Sequence, residues 1–146
     1  MISRDLLEVA DDFLGGLKEA HWRSAVSRGY YAAFHEPRQL LGQCGFAVPR
    51  GEQAHAYLWL RLSNCGHPDL SHAGAGLNDL RSQHNWADYD FDQPMDQSSA
   101  ADYVQAARDV VGLLEQAAAM PAVLAPVPAA IRVYERDVLG EVTWQP

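Results

Sequence analysis

The stretch Ser27–Leu41, "SRGYYAAFHEPRQLL", sets two tyrosines, a phenylalanine and a histidine among alanines, then places a proline where a helix would simply continue. At about 100° per residue, Tyr30 and Phe34 extend a stripe begun by Trp22 and Val26, which marks them as core. Tyr31 and His35, also four apart, fall on a neighbouring face. Gly29, Ala32 and Ala33 leave room for another helix to come close. Arg28, Tyr31 and His35 are the polar patch of the segment. The helix is expected to reach Leu40 and Leu41 with a kink at Pro37, which leaves the carbonyl of Ala33 without its usual donor. "GQCGF" ends it, Gly42 and Gly45 being natural stops.

Upstream, Leu6, Leu7, Ala10, Phe13, Leu14 and Leu17 recur at helical spacing and predict a first helix ending near Gly15 and Gly16. The second then begins near His21. Downstream, Ala54, Leu58, Leu62 and Cys65 predict a third. "GHPDLSHAGAG" reads as a turn-rich connection with Asp69 or Ser71 as N-cap. The fourth helix runs from about Leu70 or Ala75 to Tyr89. "DFDQPMDQSS" interrupts the pattern, and Ser98 or Ser99 caps a fifth helix carrying Tyr103, Ala106, Ala107, Val110, Val111, Leu114 and Ala118. No segment of residues 1–119 alternates with a strand period. The expected fold class is all-α, an up-and-down bundle of four to five helices. "MPAVLAPVPAA" reads as a Pro/Ala-rich linker. "IRVYERDVLGEVTWQP" fits a short helix, a hairpin or an arm docked on a neighbouring subunit. Residues 120–146 are thus read as linker and C-terminal arm.

At 146 residues the chain fits one domain. Its 48% hydrophobic and 21% charged residues are an ordinary balance for a soluble globular protein. No apolar run reaches a membrane span, and the acidic residues of the opening segment are unlike a signal peptide, so the expectation is a cytoplasmic protein away from the membrane. Two cysteines are too few for a disulfide framework. The formal charge of −8 repels polyanions at long range and argues against strong, sequence-blind nucleic-acid binding, while leaving room for a local basic pocket. "CGHPDLSH" offers Cys65, His67, Asp69 and His72 as zinc-ligand types, but their spacing matches no pair of knuckles and reads as a helix end and loop. Neither a metal nor another cofactor is expected.

Within the second helix, "AVSRGYYAAFH" resembles the helix-two signature of HEPN-domain proteins, a Ser/Asn-Arg-x-Tyr-Tyr-Ala-x-Phe-His run. "LRSQHNWADYDF" resembles the Leu-Arg-x5-Ala-Asp-Tyr segment of the same family. The order and spacing of the two are more specific than either alone, and the resemblance covers roughly residues 1–119. It implies a bundle, often a homodimer, whose second and fourth helices line a shared cleft. It also implies association with RNA or nucleotides, and a toxin–antitoxin or defence setting with a nucleotidyltransferase-type antitoxin as partner. Active nucleases of the family carry an arginine and a histidine with four to six residues between them, a pairing suited to metal-independent RNA cleavage. The histidine moves the proton of the 2′-hydroxyl or leaving oxygen, and the guanidinium holds the phosphorane charge. Here Arg81 matches the arginine and Tyr89 the tyrosine that an antitoxin can adenylylate, but Ala87 stands at the histidine position. An alanine moves no proton.

The nearest imidazole is His84. Leu77, Leu80, His84 and Ala87 form one stripe, with Arg81 and Asp88 along its edge, so His84 is expected to point inward. An inward histidine usually packs and bonds; the sharper reading makes it a relocated catalytic base beside Arg81. Arg81 either joins Asp88 or Asp79 in a structural ion pair or projects into the cleft as an anion site. Arg28 either bonds a fourth-helix carboxylate or touches ligand. Trp86, opposite the stripe, is read as packing beneath the "DFDQP" loop. The ligand-binding candidates are Arg28, Tyr31, His35, Arg81, Asp88 and Tyr89. The leading expectation is a non-catalytic RNA- or nucleotide-associated HEPN protein. The alternatives are an active ribonuclease toxin using Arg81 and His84, and a non-enzymatic protein-interaction bundle.

Overall fold

The apolar stripes fold largely as they are spaced. The computed structural model describes residues 1–146. In chain order it holds α1 (Ser3–Leu14), α2 (Glu19–Gln43), α3 (Gln53–Ser63), α4 (Pro68–Tyr89), α5 (Gln97–Ala118), α6 (Pro121–Leu124) and α7 (Val127–Tyr134), then a π-helical turn over Glu135–Leu139. The fold is all-α, and the strand-like pairing is an isolated antiparallel bridge between Phe46 and Trp144. No single helix is long and apolar enough to cross a membrane.

α2 is the central element, packed on α1, α4 and α5, while α3 pairs with α4. Tyr30, Leu41, Leu58, Leu62, Leu77 and Leu114 are sealed in one core, where a fully buried large apolar side chain contributes about 1.5–3 kcal/mol. Ala32 and Ala33 are completely buried. At Gly29 an added Cβ would lie 3.4 Å from Ala107 Cβ and 3.6 Å from Val104 Cγ2, so the small residues of α2 do receive a neighbour, α5.

Boundaries differ from the sequence expectation at several helix ends, at α4 and α5 because a side-chain cap decides. Leu17 belongs to no helix and is exposed, because α1 ends at Leu14. α2 starts at Glu19, ahead of His21, and continues through the buried Pro37 to Gln43. α4 starts at Pro68, before Leu70, and its N-cap is His67 rather than Asp69 or Ser71. The imidazole Nδ1 of His67 accepts from the Asp69 amide at 3.2 Å, and Pro68 fills a first-turn position where no N–H is needed. The glycines of "AGAG" are consequently helical. α5 is capped by Asp96, which accepts from the Ser99 amide at 2.7 Å, rather than by Ser98 or Ser99. That bond holds the Asp96 carboxyl below its usual range.

The stretch read as a linker is helical, and the C-terminal segment docks on its own chain. Val127 and Ile131 enter the main core. Buried Arg61 of α3 donates through Nε and Nη2 to Glu135 Oε2 at 2.9 and 2.8 Å, and pairs as well with Glu141. Its guanidinium also lies 3.5 Å from the Tyr57 ring centre. Beyond Gly140 the chain runs back along Gly45–Ala47. The Ala47 amide donates to Thr143 O at 2.8 Å, and Trp144 Nε1 to Cys44 O at 3.1 Å.

Candidate functional site

The aromatic face of α2 meets the polar edge of α4 and the first turn of α3, and three rings lie nearly parallel there. His84 stacks on Tyr30 with centroids 4.7 Å apart and planes 11° apart. His55, from α3, lies 5.6 Å from Tyr30 and 6.5 Å from His84. Tyr31 and Tyr89 meet the His84 ring edge-on, at 5.2 and 6.2 Å. His84 is only 4% exposed. The inward stripe is as expected, with Leu77, Leu80, His84 and Ala87 all buried.

The polar contacts follow from helical spacing. Asp88, one turn after His84, places Oδ2 3.1 Å from Nδ1. The ring N–H direction misses that oxygen, so the contact is electrostatic rather than an aligned hydrogen bond, and Nδ1 has no hydrogen-bond partner. The same Oδ2 accepts from Ser27 Oγ at 3.1 Å, and Ser27 Oγ accepts from Arg28 Nη2 at 3.3 Å. Arg28 thus reaches Asp88 through a serine instead of directly. Its guanidinium also sits 5.3 Å from the Tyr31 ring centre, in cation–π range.

Arg81 bonds neither Asp79 nor Asp88. Its Nη2 lies 3.8 Å from Oε2 of Glu52, a residue just ahead of α3, and the same oxygen is 3.5 Å from His55 Nε2. The Arg81 side chain keeps about a third of its surface open, and that of Glu52 is 83% exposed. An ion pair this open is worth little. The guanidinium therefore remains free to take a better anion.

Burial sets the protonation of the two imidazoles. Loss of water lowers the pKa of His84, with Arg28 and Arg81 adding to the effect and Asp88 and Glu52 opposing it. For His55 burial again leads, followed by the charge of Arg81. Burial pushes the Tyr30 phenol far up, so it keeps its hydrogen, and its oxygen lies in hydrogen-bond contact with His55 Nδ1. At neutral pH the cluster combines neutral rings with the guanidinium groups of Arg28 and Arg81 and the carboxyl groups of Asp88 and Glu52.

Six of the seven predicted site residues come together: Arg28, Tyr31, Arg81, His84, Asp88 and Tyr89. His35 touches the Tyr31 ring at 6.3 Å but faces a cavity of about 490 Å³ between the start of α1 and the second half of α2. That cavity gathers Met1, Ile2, Leu6 and glutamines and shares none of the charged cluster. Trp86 packs as read, its Nε1 donating to Gln93 O in the following loop at 3.0 Å. Cys65 is buried and His67 is engaged as a cap.

Sequence reasoning passed over His55, Glu52 and Ser27. His55, Leu58 and Leu62 share helical spacing, and an imidazole on an apolar stripe signals a buried polar partner, here Tyr30. Glu52 carried no signal, because its role depends on the loop that brings α3 beside α4. No family model matches the chain, nor does any curated protein or solved structure.

Proposed function

We propose that this chain is a HEPN-like, non-catalytic module of the cytoplasm. It binds a nucleotide or a short RNA at the edge of α2 and α4, in a toxin–antitoxin or defence setting. Arg81 and Arg28 hold phosphate, and the rings of Tyr31 and Tyr89, the latter 76% exposed, offer faces for a base. The carrying observation is the contrast between the two central groups. Arg81 is open and loosely paired, whereas His84 is sealed beneath Tyr30 and Tyr31. A general base must lie within hydrogen-bond reach of the proton that it removes, and a sealed imidazole does not reach a 2′-hydroxyl. The formal charge of −8 favours a small anion over a long polyanion. A homodimer and a nucleotidyltransferase-type partner accompany this reading through the family resemblance alone.

Calorimetric titration of 5′-AMP and a five-nucleotide RNA tests it. Wild-type protein should bind with an affinity that falls with salt. Arg81→Ala should weaken binding about tenfold, in line with loss of a charge-assisted hydrogen bond. Absence of heat with either ligand would favour a protein-interaction bundle. A second reading, a metal-independent ribonuclease using Arg81 and His84, draws on the 3.1 Å approach of Asp88 to His84, which favours a proton on the ring. It requires RNA cleavage without metal that His84→Ala abolishes. Undiminished cleavage in that variant would remove it.

A further inference from the structure

The side chain of Glu52 is oddly spent. Glu52 stands in the N-cap position of α3, yet it makes no capping bond. It reaches instead across to α4 and sets a single oxygen between Arg81 Nη2 and His55 Nε2, beyond normal hydrogen-bond length from both. Gly51, at φ +82°, makes the turn that delivers it there.

The hydrogen-bonding of the buried rings gives this position its chemistry. The Tyr30 hydroxyl bonds His55 Nδ1, and no other acceptor meets it. For its hydrogen to be satisfied, Tyr30 must donate and Nδ1 must accept. The ring of a neutral His55 then carries its own hydrogen on Nε2, the nitrogen facing Glu52. Beside it stands the guanidinium fork of Arg81, suited to two anion oxygens. Two donors therefore converge on one point at the protein surface. The carboxylate now at that point is exposed, stretched and held by neither at full strength.

We propose that Arg81 and His55 form a seat for a terminal phosphate monoester, and that Glu52 is a built-in competitor which the ligand displaces. This rests on the reading of Arg81 as an anion site and names the class of anion. A monoester is the end of its molecule, like the carboxylate it replaces, and its second negative charge lets it outcompete a single carboxylate for the same donors. Glu52 sets a threshold, so that weak monoanions are rejected.

The test compares wild type with Glu52→Gln, a change at an exposed side chain that leaves the fold intact. Asp79→Asn, which alters net charge equally on the same protein, serves as control. Inorganic phosphate, 5′-AMP, a 5′-phosphorylated short RNA and its 5′-hydroxyl counterpart are titrated by calorimetry. Glu52→Gln should bind the monoesters about threefold to fivefold tighter, the scale of an exposed ion pair. Asp79→Asn should change affinity less than about 1.5-fold at physiological salt. Equal gains for inorganic phosphate and 5′-AMP identify a bare phosphate as sufficient; a gain confined to phosphorylated RNA identifies an RNA end. Either supports the seat. An equal gain for 5′-hydroxyl RNA, which has only diesters, would overturn the monoester assignment. Unchanged affinity in Glu52→Gln, with binding still lost in Arg81→Ala, would overturn the competitor and leave the anion site standing. If neither wild type nor Glu52→Gln binds any of the four, both readings fall.

Discussion

At the scale of single residues, the site is defined by which groups are sealed and which are left open. His84 and His55 are both held below the ordinary imidazole value of 6.5, chiefly by burial. The unfolded chain therefore takes up protons first as pH falls, and stability that is intact above about 6.5 is lost progressively towards the lower folded values. Thermal unfolding followed between pH 7.5 and 5.5 should show the midpoint decline below 6.5, with a shallower slope in His84→Gln. A midpoint flat across that range would contradict the burial of these rings as charge-sensitive groups. His84 was legible because Leu77, Leu80 and Ala87 fix its face by period alone. His55 and Glu52 were not, since their meaning arises only when α3 and α4 lie side by side. Asp88 was legible as a polar neighbour, but not as the acceptor that links Ser27 to His84.

At the scale of elements, two buried arginines hold ends that propensity would leave loose. Arg23 Nη1 donates to the carbonyls of Trp86, Ala87 and Asp90 at 2.9, 3.2 and 3.1 Å, closing the C-terminus of α4. Its Nε meets Glu19 at 2.8 Å, and Glu19 in turn accepts from the Met95 amide at 3.0 Å. Arg23→Ala leaves several carbonyls unpaired and is expected to cost about 2–3 kcal/mol in denaturant unfolding. Arg61 plays the matching part for the C-terminal segment. Glu135→Ala takes from buried Arg61 its buried partner and leaves it only the half-exposed Glu141, so it should cost about 2 kcal/mol, whereas the double change Arg61→Met with Glu135→Leu should cost less. Equal losses in both would show that the pair is not what fastens the tail. The five main helices were readable from their stripes. Their caps were less so: Asp96 is a preferred capping type that stood beside the equally preferred Ser98 and Ser99, and His67 lies outside the usual capping residues. The proline-rich segment misled for a related reason: Pro121 and Pro128 fall in the first turns of α6 and α7, where proline is tolerated, so the same residues that suggest a linker start helices.

At the scale of the whole molecule, an acidic bundle carries a small patch where Arg28 and Arg81 are matched by Asp88 and Glu52, so that the local charge is far less negative than that of the chain. A formal charge of −8 opposes approach of any polyanion, so binding should be confined to short ligands and should weaken as salt screens the local arginines. Lengthening the RNA from five to twenty nucleotides should improve affinity by no more than about the number of added registers; a gain of a hundredfold or more would place the contact surface elsewhere. The architecture follows from sequence because α2 is small on one face, aromatic on the next and flanked by stripes of helical period. The site follows only in part, because it is assembled from three helices that no single segment specifies. The most direct measurement is the Arg81 Nε–Hε resonance in nitrogen-edited NMR during titration with 5′-AMP. The account predicts a shift that saturates with ligand and is accompanied by movement of the His55 imidazole signals. A ligand that binds while the Arg81 resonance stays in place would contradict it.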